Sequence, residues 1–278
     1  MILRPLLPED AEACVEVTHR ALEKIYDVMP EDTPAYRERA AQRVLHLQQT
    51  DPDSAWVAEV DGQVAGCALA LVREGMWFLS LLMVHPSQQA GGLGRRLLDA
   101  TLQTATDRSW ILATTAPAAL RRYRRAGFDL VPCLTARGPV DRALIPATDV
   151  RETTWAEGGE LVDAVTRKLR GAAMTPDLPY LERLGYRLFV ARDGFVILRP
   201  NGAPVSLGAA DPAVAQQLLW TVFAESDGDA EIDWLAHDQQ WAIDTCLDAR
   251  LPLLKGEGHL FLRGQPPMSP YLPGGALG

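Results

Sequence analysis

With 278 residues, 47% of them hydrophobic and 23% charged, the chain can bury one large core or two ordinary ones, and its composition excludes wholesale disorder. Its formal net charge of -9 argues against a nucleic-acid binder, which needs clustered Lys and Arg for phosphates, and leans mildly towards a cationic partner such as an amine. The four cysteines (Cys14, Cys67, Cys133, Cys246) are scattered among apolar neighbours and the five histidines are dispersed, so neither a disulfide framework nor a metal site is expected. Glu9 and Asp10 interrupt the N-terminus before a signal-peptide core could form, and no apolar run reaches membrane-spanning length. A cytoplasmic protein with no membrane partner is the expectation.

Ile2–Leu6 reads as a short strand, and Pro8-Glu9-Asp10 opens a helix with acids facing its positive end. A second helix follows over about 34–47. Trp56–Val60 and Val64–Val72 form a hairpin about Asp61-Gly62. Met76–Val84 is apolar on both faces and therefore a central strand. A helix opening at the Gly91–Gly94 run and reaching about Thr106 carries Leu93, Leu97, Leu98 and Leu102 at helical spacing. Strand Trp110–Thr114, helix Pro117–Arg125 and strand Phe128–Leu134 complete a mixed α/β unit over residues 1–137.

After a connector over 138–149, the pattern starts again over 150–263. Val150-Arg151, Val162, Arg167 and Leu169 repeat Leu3-Arg4, Val15, Arg20 and Leu22 at one constant offset. Phe189-Val190-Ala191 echoes Trp56-Val57-Ala58, which indicates a diverged internal duplication. The fold class expected is therefore α/β with mixed sheets, two similar units in tandem. The Pro/Gly-rich tail, 264–278, is expected to be extended, and docked on the surface or loose.

One segment carries chemistry. Between the strand ending at Val84 and the helix carrying Leu97 and Leu98 lies His85-Pro86-Ser87-Gln88-Gln89-Ala90-Gly91-Gly92-Leu93-Gly94. Three glycines let the backbone approach a ligand, and free N–H groups at a helix start favour an anion as large as a pyrophosphate. The other reading is a glycine turn kept for tight strand–helix packing. No Lys-Ser/Thr follows Gly94, so this is not a P-loop, and a third glycine of the dinucleotide fingerprint is missing. A position after the fourth strand also differs from the Rossmann loop, which follows the first.

The run Gln89-x-x-Gly92-x-Gly94 after Val84-His85-Pro86 resembles the signature of the GNAT superfamily of N-acetyltransferases. Leu3-Arg4-Pro5 with Glu9-Asp10-Ala11, and Tyr123-Arg124-Arg125-Ala126-Gly127-Phe128, look like the same family's opening and closing motifs. The resemblance covers about residues 1–137. It implies that backbone N–H groups of Gln89, Ala90, Gly91, Gly92, Leu93, Gly94 and Arg95 hold the pyrophosphate of CoA. It also implies that the backbone of Leu82, Met83 and Val84 pairs with the pantetheine arm. Tyr123 matches the family's general acid: a phenol with a pKa of about 10 can protonate a departing thiolate with one of about 8.5. Its plainer reading is an aromatic packing the sheet. Ser80, on the strand face of Leu82 and Val84, is the candidate proton relay for the amine, with Glu74 as a substitute. Ala116 stands where the family often has Asn.

The second unit has no such loop. Asp211-Pro212-Ala213-Val214-Ala215 is shorter and lacks glycine, Asp211 would cap its helix, and Cys246 falls where Tyr123 falls. Among the remaining residues, Arg121, Arg122, Arg124 and Arg125 could meet the CoA 3′-phosphate or face solvent, and Tyr26 and Asp27 sit where the family gates its acceptor. The function implied is transfer of an acetyl group from acetyl-CoA to a small-molecule or peptide amine by direct attack, without a metal. The alternative is a non-catalytic acyl-CoA sensor or scaffold.

Overall fold

A computed structural model describes residues 1–26, 31–266 and 268–278; Asp27 lies outside them. Strand β1 (Ile2–Pro5) leads through a 3-10 turn into helix α1 (Ala11–Leu22), and helix α2 (Pro34–Thr50) follows. Thr33 caps α2 through the Tyr36 N–H, with Pro34 preset for the first turn. Strands β2 (Ala55–Val60), β3 (Gln63–Arg73) and β4 (Met76–Val84) form an antiparallel meander. A 3-10 segment over Pro86–Gly91 then enters helix α3 (Leu93–Thr101). Strand β5 (Arg108–Thr114), helix α4 (Pro117–Arg125) and strand β6 (Asp129–Gly138) close the first repeat.

The second repeat follows the same plan. It comprises β7 (Arg151–Thr153), α5 (Trp155–Leu169), α6 (Leu178–Arg183), β8 (Arg187–Ala191), β9 (Gly194–Leu198) and β10 (Pro204–Ala209). Helix α7 (Pro212–Glu225), β11 (Ala230–Ala236), α8 (Gln240–Asp248) and β12 (Leu253–Arg263) follow, and β13 (Tyr271–Leu272) lies in the tail.

The repeat boundary in sequence is not the boundary between sheets. The larger sheet has the order β1-β2-β3-β4-β5-β12-β6-β11, the smaller β13-β10-β9-β8-β7. Strand β12, the last of the second repeat, lies antiparallel between β5 and β6, while β6, the last of the first repeat, pairs with β11. Each repeat thus lends its final strand to the other. Glycines admit this insertion: a β-carbon at Gly256 would stand 2.3 Å from the Cys133 carbonyl oxygen, and one at Gly258 would stand 2.6 Å from that of Ala113.

A buried ion cluster fastens the repeats on the α1/α2 side. Arg73 of β3 binds Asp51 and, through a second nitrogen, Asp177 ahead of α6, each at 2.8 Å. His46 of α2 reaches the same Asp177 oxygen at 2.8 Å and stacks on Tyr180 at 4.5 Å. Burial pushes the Asp177 carboxyl up, but hydrogen bonds from His46 and Arg73 hold it below the usual carboxylate range.

The tail is neither loose nor superficial. Its β13 extends β10 with Tyr271 opposite Gly208, and Met268, Tyr271 and Leu277 are buried. Ser80 donates to the Ala276 carbonyl, and Arg170, itself wholly buried, donates to that of Leu277 at 2.8 Å. The apolar residues among the Pro and Gly fill the seam between the two sheets, burying surface that a surface-docked strand would leave wet.

Removing one member of a buried ion cluster strands its partners without solvent. Arg73→Ala is expected to cost about 3–5 kcal/mol of unfolding free energy, read as a lowered urea midpoint. An unchanged midpoint would show that the cluster does not tie the repeats together.

Candidate active site

Strands β4 and β5 pair in parallel only from Met76–Leu79 against Arg108–Ile111. Beyond that, β4 stays with β3 as far as Val84, and β5 stays with β12 as far as Thr114. The two central strands therefore separate into a V. A bulge starts the divergence: Leu69 faces Leu81 and Ala70 faces Leu79, leaving Ser80 as the extra residue. A cavity of about 360 Å³ fills the V, lined by Leu82, Met83 and Val84 on one arm and by Leu112, Ala113 and Thr114 on the other.

The bulge overturns the face expected for Ser80. Leu82 and Val84 pack towards α3, whereas Ser80 turns to α2 and accepts from Arg43 Nε at 3.1 Å. Its own proton goes to the Ala276 carbonyl, so the hydroxyl has no proton free for a relay. Ser80 still lines the cavity, whereas Glu74 does not. It sits at the β3–β4 turn, where it takes both Arg167 nitrogens and the Ala173 N–H.

The glycine segment follows the β4 arm of the V. Gly92 adopts a left-handed backbone with φ 73°, which a side chain would strain, and a β-carbon there or at Gly91 would meet nothing within 4 Å. That open space lies at the start of α3, where the N–H groups of Leu93 and Gly94 have no helical acceptor. Arg95 and Arg96 donate their N–H groups to the Gly92 carbonyl, which fixes the turn. Gln89 donates to the Val84 carbonyl at 3.2 Å and lines the cavity. Leu93 is buried against β2 and β3 neighbours, and the Arg95 side chain points to solvent, so any ligand contact from these two is made by backbone. Ala90 belongs to the 3-10 segment; its side chain lies outside the description.

Tyr123 lies on the cavity wall, buried, with its ring edge-on to Phe261 at 5.3 Å. Burial pushes its phenol up to about 12, with the nearby Arg122 pulling the other way. Phe261 comes from the exchanged strand β12, 138 positions away in sequence, so no local pattern could announce it. Ala116 is the N-cap of α4 and gives no side-chain cap, and it too lines the cavity.

The corresponding cleft of the second repeat is filled by the protein itself. Strands β10 and β11 do not pair, and β13 occupies the free edge of β10. Asp211 caps α7 by accepting the Ala213 N–H at 2.8 Å, and Cys246 is a buried thiol raised by burial to about 12. A second cavity, about 340 Å³, remains near the tail, lined by Arg43, Tyr180, Glu231, Asp233 and Trp234 among others. Arg137 neutralises Glu231 and Glu257 at 2.8 and 2.7 Å, leaving Asp233 with the Thr135 hydroxyl at 2.6 Å. Burial, with Glu231 and Glu257 nearby, raises Asp233 to about 6. Tyr26, at the end of α1, is also raised, by burial and by Glu257, Asp233 and Glu231. Among the described residues no group of three or more His, Cys, Asp or Glu could hold a metal ion, and no helix is long and apolar enough to cross a membrane.

The mixed sheet is thus splayed between two parallel strands, with a buried phenol on the cleft wall and Gln89, just ahead of the glycine turn, lining it. Residues 22–128 match the acetyltransferase (GNAT) family, and this part of the chain is a GNAT acetyltransferase domain. The fold extends over the whole chain. A Pyrococcus horikoshii protein assigned as an acetyltransferase is similar in structure at TM-score 0.78 and 18% identity, over 100% of this chain and 95% of that one. A GCN5-related N-acetyltransferase from Sphaerobacter thermophilus is similar at TM-score 0.57 and 17% identity, covering 96% of each chain. Another from Kribbella flavida gives 0.57 and 16%, over 94% of this chain and 71% of that one. No curated protein matches the chain by sequence.

The raised Asp233 has a direct consequence for stability. Its folded pKa, about 6, lies above the unfolded value near 3.8, so the folded state binds the extra proton between those values and loses stability as pH rises through them. Asp233→Asn keeps an acceptor for Thr135 and removes the charge. It should stabilise the protein by about 1 kcal/mol at pH 7.5, after allowance for partial solvent contact, and by little at pH 4. Melting curves of both proteins at the two pH values check this.

Proposed function

We propose that the chain transfers an acetyl group from acetyl-CoA to a cationic amine, in one active site, by direct attack within a ternary complex. The observation that carries this reading is the V between β4 and β5, with the Tyr123 phenol on its wall and Gln89, three residues before Gly92, lining it. The open space beside Gly91 and Gly92, next to free helix N–H groups, suits a pyrophosphate. Leu82, Met83 and Val84, on the arm of β4 that β5 leaves unpaired, offer backbone partners to an extended pantetheine arm. We place the backbone of Gln89, Ala90, Gly91, Gly92, Leu93, Gly94 and Arg95 around the phosphates.

Acetyl-CoA supplies a thioester whose acyl carbon is open to attack and whose sulfur leaves with the bonding electron pair. A C–N bond forms as the C–S bond breaks, and Tyr123 gives its phenol proton to the sulfur. The amine must arrive neutral, and its second proton passes to solvent; Ser80 and Glu74 are committed elsewhere. For the acceptor we favour an amine carrying additional positive charge. Asp233, Glu231 and Glu257 supply more negative charge than Arg137 offsets, and Tyr26 shares their surroundings. Four free, buried cysteines suit a reducing cytoplasm.

Tyr123→Phe is expected to lower kcat by about 10²-fold while the calorimetric affinity for CoA stays within a factor of two. CoA release from acetyl-CoA, measured over a panel of polyamines, aminoglycosides, amino acids and peptide N-termini, identifies the acceptor. Full activity in Tyr123→Phe would exclude the phenol as the acid. Gly92→Val should abolish CoA binding, because it strains the left-handed turn and fills the phosphate space.

The pH profile follows from the raised phenol. Activity should rise with pH as the acceptor amine loses its proton. It should then stay level to at least about pH 10, because Tyr123 keeps its proton until about 12. A descending limb between pH 8 and 9 would point to a different acid.

A further inference from the structure

We propose that Arg122 is the side chain that neutralises the pyrophosphate in the β4–β5 cleft, an inference that rests on the reading of that cleft as a CoA site. Arg122 stands on α4 one residue before Tyr123, half-buried, and lines the same cavity. Its guanidinium carbon lies 2.8 Å from the position a β-carbon on Gly94 would take. The missing side chain at Gly94 is therefore what lets a cation reach the phosphate loop.

The electrostatics of this placement are unbalanced. Of the four arginines on α4, Arg124 is paired with Asp129 at 2.5 Å, and it also donates to the Phe128 carbonyl. Arg121 and Arg125 are exposed to solvent. Arg122 has no carboxylate partner among the described ion pairs, yet it lies against the N-terminal turn of α3. That turn carries the positive end of the helix dipole and N–H groups without helical acceptors. Two positive features facing each other in a partly desolvated cleft repel, unless an anion lies between them. A diphosphate fits the need, because a guanidinium fork can bind two of its oxygens while the helix N–H groups take others.

The alternative target on the same molecule is the 3′-phosphate of the adenosine. The position of Arg122 over Gly94, rather than among the exposed arginines of α4, favours the pyrophosphate. It also places the phosphate anchor and the proton donor on consecutive residues of one helix. The distance from phosphate to reacting sulfur is then set by one rigid element.

Calorimetric titration with CoA, dephospho-CoA and pantetheine separates the possibilities. Arg122→Gln should weaken CoA and dephospho-CoA alike, by about 10- to 100-fold, and leave pantetheine unchanged. Arg122→Lys, which keeps the charge and loses the fork, should show a smaller loss, and the melting temperatures of both variants should match that of the parent. Equal CoA affinity in the parent and Arg122→Gln would overturn the assignment, as would a loss that disappears with dephospho-CoA. If the parent itself binds none of the three, the CoA reading of the cleft falls and takes this inference with it.

Discussion

The position of β12 between β5 and β6 is the constraint on which the rest of the molecule depends. A strand inserted between the last two strands of the other repeat must pair on both sides, and β12 does so, with β5 from Gly258 to Arg263 and with β6 over two stretches. Neither repeat can complete its hydrogen-bonded sheet alone, because its central edge would expose unpaired N–H and C=O groups. The insertion also reaches the chemistry. It supplies Phe261 as the surface on which Tyr123 rests, and it holds β5 in line while β4 diverges. The second repeat has no counterpart of the glycine turn or of Tyr123, but its last strand supplies the ring against which Tyr123 rests.

The exchange fixes the repeats at one edge, and the Arg73 cluster and the tail fix them at the other. Buried ion clusters contribute little net stability compared with apolar packing, but they penalise any arrangement that separates the partners. Arg73, Asp51, His46 and Asp177 come from both repeats, so the cluster selects one docking geometry. The tail acts similarly through Ser80, Ser206 and Arg170, whose side chains bond to its carbonyls. The residue offered by sequence as a proton relay is thereby explained as a fastening point.

Most elements of the fold were legible in the sequence because they rest on local signals. Pro117–Arg125 and Met76–Val84 appear where periodicity and turn residues place them, and the Asp211 cap was readable from its position before Pro212. What escaped was non-local. A bulge at Ser80 shifts side-chain parity by one and cannot be read from an apolar run. The exchange of β6 and β12 joins residues more than a hundred positions apart, and nothing in either strand's pattern specifies its neighbour. Arg122 was indistinguishable from Arg121, Arg124 and Arg125 until the fold set it over Gly94. The tail's composition suggested exposure, because Pro and Gly report backbone character and not where the intervening Tyr271 and Leu277 pack.

The two helix starts that follow β4 and β10 meet the same need in different ways. A helix start that faces a cavity leaves N–H groups that need an acceptor, and the molecule meets that need in two ways. At α7, Asp211 brings a carboxylate within its own chain, accepting the Ala213 N–H at 2.8 Å, and β13 covers the edge of β10. The site is self-satisfied, and an anion would have to displace a bound carboxylate. At α3, the residue in the N-cap position is Gly92, which has no side chain to accept anything, and the Arg122 guanidinium lies over Gly94 in the first turn. Among the described residues no carboxylate caps that turn. Glycine at one helix start and aspartate at the other decide which cleft has vacant donors for an anionic ligand, because a capping carboxylate and a bound phosphate compete for the same N–H groups.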